Sequence, residues 1–80
     1  MDRPLPMHRL QSILSRYGVG WDVSRGKGSH IMFYRDLPGG RFTYPVPRHD
    51  KDVKVCYVKG SRRRFRLLPA DGVSDKEFYG

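Results

Sequence analysis

Eighty residues carrying sixteen Lys and Arg against eight Asp and Glu, a net charge of +8, leave room for one domain and none for a deep pocket ringed by several catalytic shells. A chain this short buries only about 60% of the surface its unfolded form exposes, so any chemistry sits on an open face and uses few residues. The charge biases partners toward polyanions, nucleic acid first, ahead of two other readings: plain solubility, and an anionic membrane surface, which needs an apolar face beside the charge.

The first expected element is a helix over residues 6–17. Leu10, Ile13, Leu14 and Tyr17 recur at the spacing of one buried helical stripe. Pro6 suits the first turn and Gly18 the left-handed position past the end. The opening MDRPLPMHRLQ has no apolar run of signal-peptide length, and no stretch approaches the roughly 20 apolar residues of a membrane span. Cys56 is the one cysteine, so no internal disulfide forms. Cytoplasm is the expected compartment.

After Gly20 the period drops to two. Trp21 and Val23 alternate with Asp22 and Ser24 as a short strand with one face buried. Arg25-Gly26-Lys27-Gly28 supplies a glycine-rich turn. A second strand follows over residues 29–35, with His30, Met32 and Tyr34 on one face and Ile31, Phe33 and Arg35 on the other. Leu37-Pro38-Gly39-Gly40 turns the chain into a third strand over residues 41–46, completing an antiparallel meander. Pro45 and Pro47 are expected to end that strand and open a loop over residues 48–52.

The next segment reads two ways. Val53, Val55 and Tyr57 alternate with Lys54, Cys56 and Val58 like a fourth strand. As a helix, Val53, Tyr57, Gly60, Arg64 and Leu68 share a stripe with an arginine in it. Pattern alone leaves both open. In the tail, Ser74 and Glu77 carry a capping-box signature for one short helical turn, with Phe78 packing down.

Chemistry centres on Gly26-Lys27-Gly28-Ser29-His30. Glycines let a polyanion approach the backbone, and Lys27 places a charge there. A P-loop is excluded by its missing spacing and following helix. His30 is a side chain that trades protons near neutral pH. RNA cleavage without a metal needs a base for the 2′-hydroxyl proton and an acid for the leaving 5′-oxygen, and a positioned histidine is worth about 10²–10⁴-fold. A lone histidine in a strand is ordinarily just a strand residue; the surrounding motif raises this one. His8, on the first helix, is assigned no role. For His49 a solvated loop residue ranks ahead of a phosphate contact. No zinc or calcium ligand spacing and no Ser/His/Asp triad is visible, and neither metal nor cofactor is expected. A second basic feature, Lys59 to Arg66, places Lys59, Arg62 and Arg66 on one helical stripe. That stripe suits phosphates and an acidic protein partner equally, with solvation third.

Trp21, Gly28-Ser29-His30, Phe33, Thr43, Pro45 and Val46 together resemble HicA toxins, the YcfA-like mRNA interferases of bacterial type II toxin–antitoxin systems. The likeness runs from about Leu10 to Phe78, as one domain over residues 1–80. Its most specific part is Gly-Ser-His at the start of the second strand, between a tryptophan strand and one ending Thr-x-Pro-Val. The loop at residues 25–28 and the basic segment at 54–66 depart from the family's usual pattern. The resemblance implies an α+β fold like a double-stranded-RNA-binding domain: helix, three-stranded antiparallel sheet, helix, with a short C-terminal helical turn. On that order residues 53–67 become helix, stopped by Pro69. It also implies a metal-independent endoribonuclease that cuts mRNA, halts translation and is silenced by a HicB-type antitoxin, with His30 as the catalytic residue. RNA would then be held by Lys27, Gly28 and Ser29, with Arg41 or Arg48.

Two other classes compete. A non-catalytic binder on the same fold reads RNA shape through 2′-hydroxyl and phosphate contacts and needs no histidine on the sheet. A protein-interaction module would use the basic helix to dock an acidic partner.

Overall fold

Helix α1 spans Met7–Ser15 and buries Leu10, Ile13 and Leu14, the stripe expected from their spacing. Pro6 is its N-cap, and Tyr17, in the turn after it, stacks on Phe78 with ring centres 6.2 Å apart. Gly18 adopts φ 80°, the left-handed conformation that ends the helix. The computed structural model describes residues 1–23, 29–48 and 51–80. The expected glycine turn, with Lys27 and Gly28, lies outside the described residues, as does His49.

Strands β1 (Gly20–Val23), β2 (His30–Leu37) and β3 (Gly40–Pro47) form one antiparallel sheet in the order β1-β2-β3. Trp21 sits opposite Phe33, Ile31 opposite Val46 and His30 opposite Pro47. Alternation along β2 therefore puts Ile31, Phe33 and Arg35 on the helix side and His30, Met32 and Tyr34 on the other. Pro38 and Gly39 make the two-residue turn between β2 and β3, with Gly39 at φ 102°.

Pro45 and Pro47 do not end β3; they lie inside it. β3 is an edge strand, and the two prolines are two residues apart, so both missing N–H groups point away from β2. The residue of opposite parity, Arg48, keeps the ladder going by donating its N–H to the Ser29 carbonyl at 2.8 Å.

The ambiguous segment resolves into both patterns in turn. Val53 and Leu5 exchange backbone hydrogen bonds of 2.6 and 3.2 Å in an isolated antiparallel bridge. Helix α2 then runs over Val55–Arg64, two residues later and three residues shorter at its end than the expected 53–67. It stops in a two-bond left-handed cap: the Leu67 N–H donates to the Arg62 carbonyl at 2.7 Å and the Arg66 N–H to the Arg63 carbonyl at 3.2 Å. Arg66 holds the left-handed position at φ 59°. A 3₁₀ turn at Pro69–Asp71 leads to α3, Asp75–Tyr79. There the Ser74 hydroxyl accepts the Glu77 N–H at 3.1 Å and donates to the Glu77 carboxylate at 3.3 Å, so half of the expected capping box forms.

The core lies between the sheet and the helices. Leu10, Ile13 and Leu14 meet Ile31, Phe33 and Val46, with Val58, Phe65, Leu67 and Phe78 closing it from the C-terminal half. Each such side chain contributes about 1.5–3 kcal/mol by leaving water. Helix α2 presses on β3 at Gly60, where a Cβ would fall 1.9 Å from the Tyr44 hydroxyl oxygen. Arg35, from the inner face of β2, donates to the carbonyl of Phe65 at the end of α2.

Arg62 corrects the expected basic stripe of Lys59, Arg62 and Arg66. It occupies the inward positions of α2 with Val58, Ser61 and Phe65, and is 1% exposed. Its guanidinium reaches Asp2 at 2.8 Å, Asp75 at 2.7 Å and the carbonyls of Leu67 and Val73 at 2.9 and 3.0 Å, and lies over the Phe78 ring. Hydrogen bonds satisfy it on every side, as a buried charge requires. Burial raises the Asp2 carboxyl, but the bonds from Arg62 and Tyr79 outweigh it and hold the group below its ordinary value. The Tyr79 hydroxyl, buried and bonded to Asp2, is pushed up to about 12.

Candidate functional site

The helices cover one face of the sheet and leave the other open. On that open face His30 is exposed, as are Met32 and Pro45. His30 begins β2 opposite Pro47, and the neighbouring Ser29–Arg48 hydrogen bond closes that end of the ladder. The Ser29 hydroxyl lies 3.1 Å from His30 Nδ1. Among the described residues Nε2 has no hydrogen-bond partner, which leaves that nitrogen for a substrate. Ser29 is itself tied down through its carbonyl to the Arg48 N–H. Ser29, His30 and Arg48 thus meet at one end of the β2–β3 pair.

Arg41 does not join them. It sits opposite Asp36, six residues along the ladder from the His30–Pro47 pair, roughly 20 Å away at about 3.3 Å per residue. Its guanidinium grips Asp36 with bonds of 2.8 and 3.1 Å and lies 4.5 Å from the Tyr34 ring centre. The hydrogen bonds from Arg41 hold the Asp36 carboxyl below its ordinary value. Arg41 shares the open face with His30 but stands at its far end.

One residue passed over in the sequence comes into view. His8, on α1, lines an open cleft of about 340 Å³ with Met7, Gln11, Val23, Ile31 and Arg48. Arg48 therefore belongs both to the His30 end of the sheet and to this cleft. The signal for His8 was absent from local pattern, because a position exposed on α1 tells nothing of a strand end some forty residues away. Among the described residues no three His, Cys, Asp or Glu side chains gather into a group able to hold a metal ion, and no helix is long and apolar enough to cross a membrane.

Chemically, this end of the sheet offers a solvent-facing imidazole on the open face, its Nδ1 beside the Ser29 hydroxyl, and on the helix side the Arg48 side chain in the His8 cleft. The imidazole can exchange a proton, and the guanidinium can hold an anion at the same strand end. A family model described as the HicA toxin of bacterial toxin–antitoxin systems matches residues 7–60, from the start of α1 to the middle of α2. No curated protein and no solved structure matches the chain significantly.

Proposed function

The chain belongs to the HicA toxin family, and from that premise we propose that it is a metal-independent endoribonuclease, an mRNA interferase whose catalytic residue is His30. Family membership makes it the toxin of a toxin–antitoxin system and implies a cognate antitoxin. In the proposal the substrate is mRNA, the compartment is the cytoplasm, the inhibitor is of HicB type and the working unit is a single domain over residues 1–80.

The observation that carries the reading is the exposed His30 ring on the open sheet face, with the Ser29 hydroxyl at Nδ1 and Ser29 itself paired to the Arg48 backbone. His30 Nε2 takes the proton of a ribose 2′-hydroxyl, the 2′-oxygen attacks phosphorus to leave a 2′,3′-cyclic phosphate, and the P–O5′ bond breaks as the 5′-oxygen takes a proton from solvent water. Arg48, Ser29, and Lys27 with the Gly28 backbone hold the phosphate; Arg41 contacts the strand farther along the same face. An open sheet admits a single strand, whose bases and 2′-hydroxyls are accessible.

The test is cleavage of a labelled mRNA by the purified protein in EDTA. Wild type gives fragments. His30→Ala lowers the rate by about 10²–10⁴-fold with an unchanged circular dichroism spectrum. Binding that falls steeply with salt but yields no fragments would instead make the protein a non-catalytic RNA binder.

A further inference from the structure

A second cleft, of about 430 Å³, opens between the end of α2 and the edge strand β3, lined by Phe42, Tyr44, Gly60, Arg63, Arg64 and Arg66. Its residues on β3 lie on the helix side of the sheet, and Phe42 is five residues from Pro47 along the strand. The family match ends at residue 60, before any of these arginines.

Three observations converge on this cleft. Phe42 carries two guanidiniums, with Arg64 5.0 Å and Arg66 5.2 Å from its ring centre. Arg64 is further fixed by donating its Nε–H to the Thr43 carbonyl at 3.0 Å. Among the described residues none of Arg63, Arg64 and Arg66 is in an ion pair, and no carboxylate lines the cleft; Asp2, Asp36 and Asp75 are engaged elsewhere. Finally, Arg66 occupies the left-handed position of the helix cap, where glycine is the favoured residue. That backbone turn swings residue 66 back beside Arg63 and Arg64. Like charges gathered on one ring repel each other, and an anion between them reverses the sign of the interaction.

We propose that this cleft is a phosphate-binding subsite for single-stranded RNA, gripping the strand away from the His30 end. The proposal rests on RNA being the ligand, as in the reading above. Guanidiniums match phosphate in planar, paired hydrogen bonds, and aromatic rings interleaved with arginine form the usual platform for single strands.

The experiment measures binding of a short labelled single-stranded RNA by fluorescence anisotropy over a salt series, in a His30→Ala background so that the RNA stays intact. The double variant Arg63→Gln/Arg66→Gly is compared with its parent; glycine suits the backbone at residue 66, so the fold is kept, which circular dichroism checks. The expected result is binding about tenfold weaker and a log–log salt slope shallower by about 1.4, at about 0.7 per lost phosphate contact. With His30 restored, KM rises and kcat holds. An affinity and slope equal to the parent's overturn the subsite, even where wild type cleaves RNA. Loss of affinity for a HicB-type antitoxin with RNA binding unchanged overturns the choice of ligand. Arginine-dependent RNA binding by a protein that never cleaves supports the subsite while removing the nuclease reading. Absence of any RNA binding overturns both.

Discussion

Arg62 and Arg63 are neighbours in the chain and opposites in the fold. One helical step of about 100° separates them. Arg62, four residues after Val58, faces the core and is enclosed by Asp2, Asp75 and two carbonyls. Arg63 faces water. The same division runs through the whole molecule: Arg9 and Arg16 of α1 donate to carbonyls of Tyr79 and Phe78 at the end of α3, and Arg35 holds the end of α2. A net charge of +8 therefore overstates the charge on offer to a polyanion. Among the described residues, the His30–Arg48 end of the sheet and the Arg63–Arg66 cleft are two regions that keep exposed cations.

Exchanging the two kinds of residue tests that division. The largest effect on activity belongs to His30→Ala, a loss of about 10²–10⁴-fold in RNA cleavage with an unchanged urea midpoint. A midpoint that fell with the rate would make His30 a structural residue and erase the contrast. The largest effect on stability belongs to Arg62→Ala. Removing one partner of a buried ionic cluster costs about 3–5 kcal/mol, and a small domain holds only about 5–15 kcal/mol in all. Urea unfolding measures it; a loss below about 1 kcal/mol would mean that the Asp2–Arg62–Asp75 clasp is dispensable.

The division also marks what was legible in the sequence. Period-two alternation put His30, Met32 and Tyr34 on one face and Ile31 and Phe33 on the other, and the sheet keeps that arrangement. The α1 stripe was equally plain, because Leu10, Ile13 and Leu14 recur on one face of a helix and that whole face enters the core. Arg62 was not legible. Its fate depends on Asp2, sixty residues away, and on Asp75, and no local pattern announces a long-range ion pair. Val53 misled for a similar reason: its strand propensity is real and is spent on a bridge to Leu5 rather than on a fourth strand. Pro45 and Pro47 misled because a strand's position at the sheet edge is a property of topology. Of the site, the association of Ser29 with His30 followed from adjacency, while the approach of Arg48 and His8 required the fold.

Acid should act on the clasp before it acts on the core. Asp75 is lowered from 3.8 to about 2, first by the hydrogen bond from the Met1 amine and then by Arg62. A carboxyl whose value is depressed by folding adds stability above its unfolded value and loses it as pH falls through its folded one. The expected loss thus falls between about pH 4 and about pH 2, with Asp2 contributing in the same direction. Urea midpoints measured through that window should drop for wild type and change less for Asp75→Asn. Equal slopes for both proteins would remove Asp75 from the acid response.

The smallest effect is the most discriminating because its sign differs from the rest. Arg66→Gly frees a left-handed residue from its Cβ, worth about 1 kcal/mol, and forfeits a cation–π contact with Phe42 worth about 0.5 kcal/mol at an exposed site. Relief of repulsion from Arg63 and Arg64 adds to the gain. The net expectation is a protein more stable by about 0.5 kcal/mol, a rise of roughly 2–4 °C in thermal midpoint for a chain of this size. An arginine kept where glycine is more stable has its reason outside the folded chain, and the RNA subsite supplies one. Were Arg66→Gly to destabilise, Arg66 would stand with Arg62 as a structural residue, and the cleft would lose the strain that singles it out.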